Sequence, residues 1–104
     1  APRGYSMSNL PNPLGAWHFQ IRRVPRGQAT RQLFDVCKVG EEVELDGPYG
    51  LAYLRQDSAR DIVCIAGGSG LAPMVSIARG AAAAGLLSTR RLHFIYGGRE
   101  PRDL

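Results

Sequence analysis

The stretch that most constrains this chain is Ile62-Val63-Cys64-Ile65-Ala66-Gly67-Gly68-Ser69-Gly70-Leu71-Ala72-Pro73, an apolar run that breaks into glycines and then into a helical pattern. It predicts a strand, a turn and a helix. An apolar run with no polar alternation suits a parallel strand covered on both faces. The glycines allow tight backbone angles and a close approach by a ligand. The helix start just beyond offers unpaired N–H groups and the positive end of a dipole, which together suit an anion such as a phosphate. Pro73 fits the first helical turn, where its missing N–H costs nothing. Gly68-x-Gly70-x-x-Pro73 matches the dinucleotide-binding pattern only in its first two glycines, so the flanking strand and helix carry the assignment against a plain glycine-rich connection.

From this centre the rest of the chain divides in two. Downstream, Leu71 to about Ala84 reads as a helix apolar nearly all round and capped by Gly85. Arg91 to Tyr96 reads as a second apolar strand, ending at Gly97-Gly98-Arg99 on the same sheet edge as the first glycine loop. Upstream, Trp17, Phe19 and Ile21 alternate with polar residues in a strand from Trp17 to Val24, and Glu42–Leu45 and Leu51–Leu54 read as short strands flanking the turn Asp46-Gly47-Pro48-Tyr49-Gly50. Leu10 to Gly15 is a turn by its Pro and Asn content. Between the upstream strands, Thr30 is placed to cap a helix in which Leu33, Phe34 and Cys37 share a face, ending before Gly40. Gly27-Gln28-Ala29-Thr30, with Arg26 and Arg31 beside it, is then a second anion-site candidate, with simple capping as the competing reading. Residues 1 to 55 are therefore mostly antiparallel β, and the polar segment 56–60 is a linker into alternating βα patterning.

Composition narrows the chemistry. The 104 residues have the length of one small domain, and 44% are hydrophobic, as in ordinary globular proteins. No apolar run is long enough to span a bilayer, and Ala1-Pro2-Arg3 has no signal-peptide character, so a cytoplasmic origin is expected. The net charge is +4 and nearly all cations are arginines, Lys38 being the only lysine. Arginine pairs bidentately with phosphate, which suits nucleotide cofactors, nucleic acid or an acidic partner. Cys37 and Cys64 are too few and too far apart for a metal or iron–sulfur site, and both read as small buried hydrophobes. His18 and His93 have no second histidine at metal spacing. No resident metal is expected. Near the N-terminus, Arg3-Gly4-Tyr5-Ser6 combines a cation, an aromatic ring and a hydroxyl, a set able to hold a planar phosphorylated ligand; a polar strand end is the bland alternative.

The order Arg3-Gly4-Tyr5-Ser6, Gly27-Gln28-Ala29-Thr30, Gly47-Pro48-Tyr49-Gly50, Gly67 to Pro73 and Tyr96-Gly97-Gly98-Arg99 resembles the ferredoxin reductase family of FAD- and pyridine-nucleotide-dependent electron carriers. It is most similar to reductase components of multicomponent aromatic and alkene monooxygenases. The resemblance implies an antiparallel FAD-binding β-barrel portion over residues 1–56, followed by the first βαβ of a Rossmann-like NAD(P)-binding domain over 57–104. It implies that Arg3 pairs with the FAD pyrophosphate, Tyr5 lies against the isoalloxazine ring, and Ser6 hydrogen-bonds near the hydride-accepting atom. Ser6 and Tyr5 are thus the candidate catalytic residues. The loop Gly27, Gln28, Ala29 and Thr30 would hold the pyrophosphate, and Gly47 and Pro48 would lie near the nicotinamide. Gly67, Gly68, Ser69, Gly70, Leu71, Ala72 and Pro73 would bind the dinucleotide phosphates of NADH or NADPH, while Gly97, Gly98 and Arg99 would border its adenosine half.

In the family the Arg-x-Tyr-Ser segment comes partway through the flavin barrel, and the nucleotide domain continues past its second strand. A fragment of a longer reductase is therefore expected, with its iron–sulfur cluster in a missing domain or in a partner. The expected reaction is hydride transfer from NADH to FAD, then single electrons to an iron–sulfur protein or oxygenase component, with neither nucleic acid nor membrane as partner. The reading of another class is a non-catalytic nucleotide-binding or basic nucleic-acid-binding module. A flavin spectrum bleached by NADH separates the two, and the chain lacks the arginine stripe interleaved with aromatics that single-stranded nucleic acid favours.

Overall fold

The computed structural model describes residues 3–104; Ala1 and Pro2, where the expected first unit begins, lie outside the described residues. The best-formed part is the one built on the glycine stretch. Strand β1 (Ile62–Gly67) runs into a 3-10 turn at Gly68–Gly70 and then helix α2 (Leu71–Ala83), and strand β2 (Leu92–Gly97) returns parallel to β1. A shorter helix upstream, α1, spans Gln28–Arg31. The register pairs Ile62 with Leu92 and ends at Gly67 beside Gly97, so both glycine loops leave the same edge. Gly85 closes α2 in the left-handed conformation, φ 73°, as its place after the helix predicts.

The core sits between α2 and one face of this sheet. Ile62, Cys64 and Ala81 are its buried centre, with Leu54, Met74, Ile77, Leu86 and Leu92 packed around them. Ala81 has no exposed surface, so its methyl group is wholly inside the core between helix and strand. Burial alternates along β1, and Val63 and Ile65 are 59% and 67% exposed. The expectation that both faces are covered is thus corrected: the apolar run has one covered face, because α2 is the only helix packed on this sheet among the described residues. Burial of the Cys64 side chain raises its thiol pKa above the ordinary value.

The upstream half departs further from expectation. Among the described residues its antiparallel pairing is one bridge, Met7 with Phe19, reinforced by the Ser8 amide donating to the His18 carbonyl at 2.9 Å. The segments Trp17–Val24, Glu42–Leu45 and Leu51–Leu54 form no ladder among the described residues. Val43 and Leu45, in the stretch read as a short strand, are more than half exposed. The physical reason is partnership: an alternating strand is stable only with a neighbour to pair and a layer to cover its apolar side. The radius of gyration, 15.8 Å, exceeds the roughly 13 Å of a compact chain of this length, which reflects that open half.

Contacts along α2 join the halves. Ser76 Oγ in α2 donates to the Asn9 carbonyl at 3.2 Å. A Cβ on Gly80 would lie 3.5 Å from methyl groups of both Leu10 and Leu54, so α2 presents a bare backbone to both. Asn9 and Asn12 organise the turn expected at 10–15. Asn9 accepts from the His18 amide at 2.9 Å, and Asn12 accepts from the Ala16 amide at 3.0 Å while donating to the Ala16 carbonyl at 2.7 Å.

Candidate functional site

The dinucleotide candidates are brought together. Gly67 pairs with Gly97 across the parallel ladder, placing Gly67–Pro73 and Gly97–Arg99 side by side at the carboxyl end of the sheet, where α/β folds bind ligands. Gly68 takes φ 55°, which glycine tolerates and a side chain strains. A Cβ on Gly68, Gly70 or Gly97 would meet nothing within 4 Å, so the backbone at these positions is open to a ligand. Helix α2 starts at Leu71 with no side chain capping it, and Pro73 removes one donor from its first turn. The Leu71 amide is engaged by the Gly68–Gly70 turn, and it is the positive end of the helix dipole that suits an anion at this edge.

Gly98 is different. A Cβ there would stand 2.8 Å from the Asp103 Cβ and 3.3 Å from a Leu104 methyl, because the segment after β2 folds back over it. That fold is a capping box: the Glu100 side chain accepts from the Asp103 backbone, and Asp103 accepts from the Glu100 amide at 3.0 Å. The Glu100 carboxylate also pairs with Arg102 at 2.6 Å. The Glu100-x-x-Asp103 spacing with Pro101 was the signal available for this turn.

Around the second anion-site candidate, one expectation is corrected. Thr30 does not cap a helix. The cap is Gly27, α1 begins at Gln28, and the chain widens to a π turn at Gln32–Val36 before Cys37 becomes extended. Thr30 is buried inside α1, and its hydroxyl oxygen lies 3.2 Å from both the Val24 amide and the Val24 carbonyl. Its apolar neighbours explain the reversal: Phe34 and Val36 remain about half exposed, so no apolar layer draws in the expected face. Cys37 accordingly is only partly buried rather than part of a core. Gly27 is required for space, since a Cβ there would lie 2.7 Å from Thr30 Oγ1. A depression of about 210 Å³ lies alongside, lined by Gly27, Gln28, Arg23, Arg26, Arg31 and Asp35 among others. A surface concavity with three arginines and one carboxylate fits an anionic diphosphate.

Arg3, Tyr5 and Ser6 are exposed and immediately precede the bridge residue Met7. Gly47 and Pro48 lie in an exposed turn whose side-chain hydrogen bond is internal, Tyr49 Oη donating to Asp46 at 2.8 Å. That hydrogen bond to Asp46 is the main reason the Tyr49 phenol pKa is raised, with desolvation second. The structure therefore gathers the two downstream glycine loops into one edge and the 23–31 residues around one depression.

Sequence reasoning missed Arg90. It is buried, with Nε donating to the Arg60 carbonyl and one terminal nitrogen to the Arg55 carbonyl at 3.1 Å. The Arg55 guanidinium in turn donates to the Leu51 and Tyr53 carbonyls and stacks on the Tyr53 ring at 3.4 Å. This clamp fixes the linker to the start of β2. Nothing in the local pattern around Arg90 and Arg91 distinguishes the buried arginine from the exposed one.

With this geometry in place, the likeness to known proteins is specific. Residues 1–53 match the family described as Oxidoreductase FAD-binding domain. The chain is 52% identical over 92 residues to the ferredoxin–NAD(+) reductase component of the alkene monooxygenase system of Xanthobacter autotrophicus, covering 88% of this chain and 28% of that protein. It is 42% identical over 102 residues to the ferredoxin–NAD(P)(+) reductase component of the naphthalene 1,2-dioxygenase system of Pseudomonas putida, covering 98% of this chain and 30% of that one. Among solved structures, the ferredoxin reductase in carbazole 1,9a-dioxygenase superposes with a TM-score of 0.85 at 40% identity, over 98% of this chain and 30% of that chain. The chain thus spans about three tenths of the length of these relatives. The family match covers residues 1–53, half of the chain, and on that match the chain belongs to the oxidoreductase FAD-binding domain family.

Proposed function

We propose that this chain is part of a flavoprotein reductase that passes reducing equivalents from NADH, or NADPH, through FAD to an iron–sulfur protein or oxygenase component. The observation that carries the reading is the adjacency of Gly67–Gly70 and Gly97–Arg99 on one parallel sheet edge, at an uncapped helix start, within a chain whose first half matches an FAD-binding family. The finer architecture that goes with it is an antiparallel flavin-barrel portion over 1–56 and the first βαβ of a Rossmann-like domain over 57–104. The βα turn, the open glycines and the helix start support the second assignment. The Met7–Phe19 bridge is consistent with the first.

When bound, the flavin supplies the chemistry, taking hydride from the nicotinamide and releasing electrons singly. The chain's own residues bind and orient. Arg3 pairs with the pyrophosphate, Tyr5 covers a ring face, and the Gly27–Thr30 loop with its arginine-lined depression receives the diphosphate. Gly67 to Pro73 receive the dinucleotide phosphates on open backbone, Gly97 to Arg99 border the adenosine half, and Gly47 and Pro48 turn near the nicotinamide. Ser6 donates a hydrogen bond near the hydride-accepting nitrogen, where developing charge is stabilised best by a preorganised donor.

Stopped-flow reduction of the complete protein by NADH tests this. Ser6→Ala is expected to retain flavin and slow its bleaching by about 100-fold, since one positioned donor in a closed site is worth that order of rate. Arg3→Ala is expected to shed FAD and recover when FAD is added in excess. Bleaching at the parent rate in a fully loaded Ser6→Ala protein would reduce Ser6 to a strand-end residue.

A further inference from the structure

Helix α2 reaches from one functional region of the chain to the other. It starts at Leu71 on the glycine edge, and further along it Ser76 Oγ donates to the Asn9 carbonyl at 3.2 Å, a contact between residues 67 apart. A helical serine ordinarily turns its proton back to a carbonyl of its own helix. Ser76 sends it across the boundary between the halves instead, and among the described residues the Asn9 carbonyl has no other donor. Gly80 lies one turn further on the same helix face, where its bare backbone admits Leu10, the residue next to Asn9.

Asn9 is pinned from its other side as well. Its side chain donates to the Ala16 carbonyl at 2.9 Å and accepts from the His18 amide at 2.9 Å, and the Ser8 amide donates to the His18 carbonyl at 2.9 Å. The Met7–Phe19 bridge adjoins these bonds, and Tyr5 and Ser6 directly precede it in sequence. Contacts therefore run without a gap from the glycine edge, through α2, Ser76 and Asn9, to the residue beside Ser6.

Another tie between the halves, the Arg90 donors to the Arg55 and Arg60 carbonyls, sits at the opposite end of the sheet, where β1 and β2 begin. A strand of six residues is about 20 Å long, so a pivot of about 3° at that end moves the glycine edge by about 1 Å. Misplacement on that scale can slow a reaction between two positioned groups by about 100-fold. Ser76 stands nearer the start of α2 than Gly80 does, so its hydrogen bond resists the pivot with the longer lever. We propose that Ser76 is a positioning residue for hydride transfer, its bond to the Asn9 carbonyl setting the angle at which the nucleotide-binding edge meets the segment that carries Tyr5 and Ser6. This rests on the flavoprotein reading above. In this role Ser76 touches neither cofactor, and only their mutual register depends on it.

The test uses the complete protein with Ser76→Ala, which removes the hydroxyl, and Ser76→Thr, which keeps it. Stopped-flow bleaching over a series of NADH concentrations separates the apparent NADH Kd from the limiting rate of flavin reduction. Ser76→Ala is expected to hold FAD as the parent does and to bind NADH within about twofold of it, while its limiting rate falls about tenfold, less than a full misplacement because the Gly80 contact remains. Ser76→Thr is expected to return most of that rate. A merely structural serine would lower Tm and leave the limiting rate of the loaded protein unchanged. An equal loss of rate in Ser76→Thr overturns the proposal, as does a loss in Ser76→Ala that tracks its FAD content. A parent whose flavin NADH does not bleach overturns the flavoprotein reading and this one with it, whereas equal limiting rates in a bleaching parent and Ser76→Ala overturn this one alone.

Discussion

The two halves of this chain respond differently to the same rule, that apolar surface must find a partner. Residues 62–97 close on themselves: a strand, a helix and a second strand are consecutive, so Ile62, Cys64 and Ala81 meet across a short crossover. Residues 3–54 carry comparable apolar alternation, but their pairing reduces to the Met7–Phe19 bridge, and Trp17, Val43, Leu45 and Tyr53 remain about half exposed. A parallel βαβ unit brings its own cover for one face. An antiparallel strand set depends on neighbours distant in sequence, and loop closure must come before any contact rewards it.

The strongest way to break the comparison is to remove the core from the better-formed half. Ala81→Asp places a carboxylate at a position with no exposed surface, and an unpaired buried charge of this kind costs about 4 kcal/mol or more. Amide-exchange protection across Ile62–Gly67 is expected to vanish. If the Ser8 amide also loses its protection, the halves unfold as one unit and their contrast is one of degree.

A smaller effect is expected at the linker. Arg90→Met keeps much of the side chain's bulk but withdraws the donors to the Arg55 and Arg60 carbonyls. The Arg55 carbonyl keeps the Ser58 amide at 3.3 Å, so the Arg60 carbonyl bears most of the loss. A hydrogen bond from a charged donor is worth about 1–3 kcal/mol, and urea unfolding is expected to show a lower midpoint with an unchanged slope. An unchanged midpoint would mean that water replaces the guanidinium and that the clamp is not what ties the halves together.

The smallest effect sharpens the boundary between the halves. Gly80→Ala adds a methyl in ordinary contact with Leu10 and Leu54 and removes a flexible residue from the middle of α2. A gain of about 0.5–1 kcal/mol is expected in thermal unfolding. A loss instead would show that the Leu10 side of the contact cannot accept the added volume.

Legibility followed the range of the interactions. The glycine stretch, α2 and β2 were readable to within about a residue at each end, because an apolar run, a glycine break and a helical period are all local patterns. The upstream strands were readable as patterns but not as pairs, since alternation along Trp17–Val24 specifies a face and not the neighbour that would cover it. The order of motifs carried the family, while the relation of Arg3, Tyr5 and Ser6 to the Gly27 loop rests on the resemblance.

What the sequence determined by itself is the βαβ core, the paired glycine edge it creates and the oxidoreductase family to which the chain belongs. Tertiary structure alone decided the fate of particular side chains. Thr30 turned inward to Val24 instead of capping a helix, Arg26 took the left-handed backbone beside a glycine that needed the space, and Arg90 rather than Arg91 became buried. For Arg90 the reason is distance: its acceptors, the Arg55 and Arg60 carbonyls, arrive from 35 and 30 residues away, and no local spacing records them. For Thr30 and Arg26 it is the backbone path of the 24–30 turn, which decides where a hydroxyl finds its partner and where a Cβ has room.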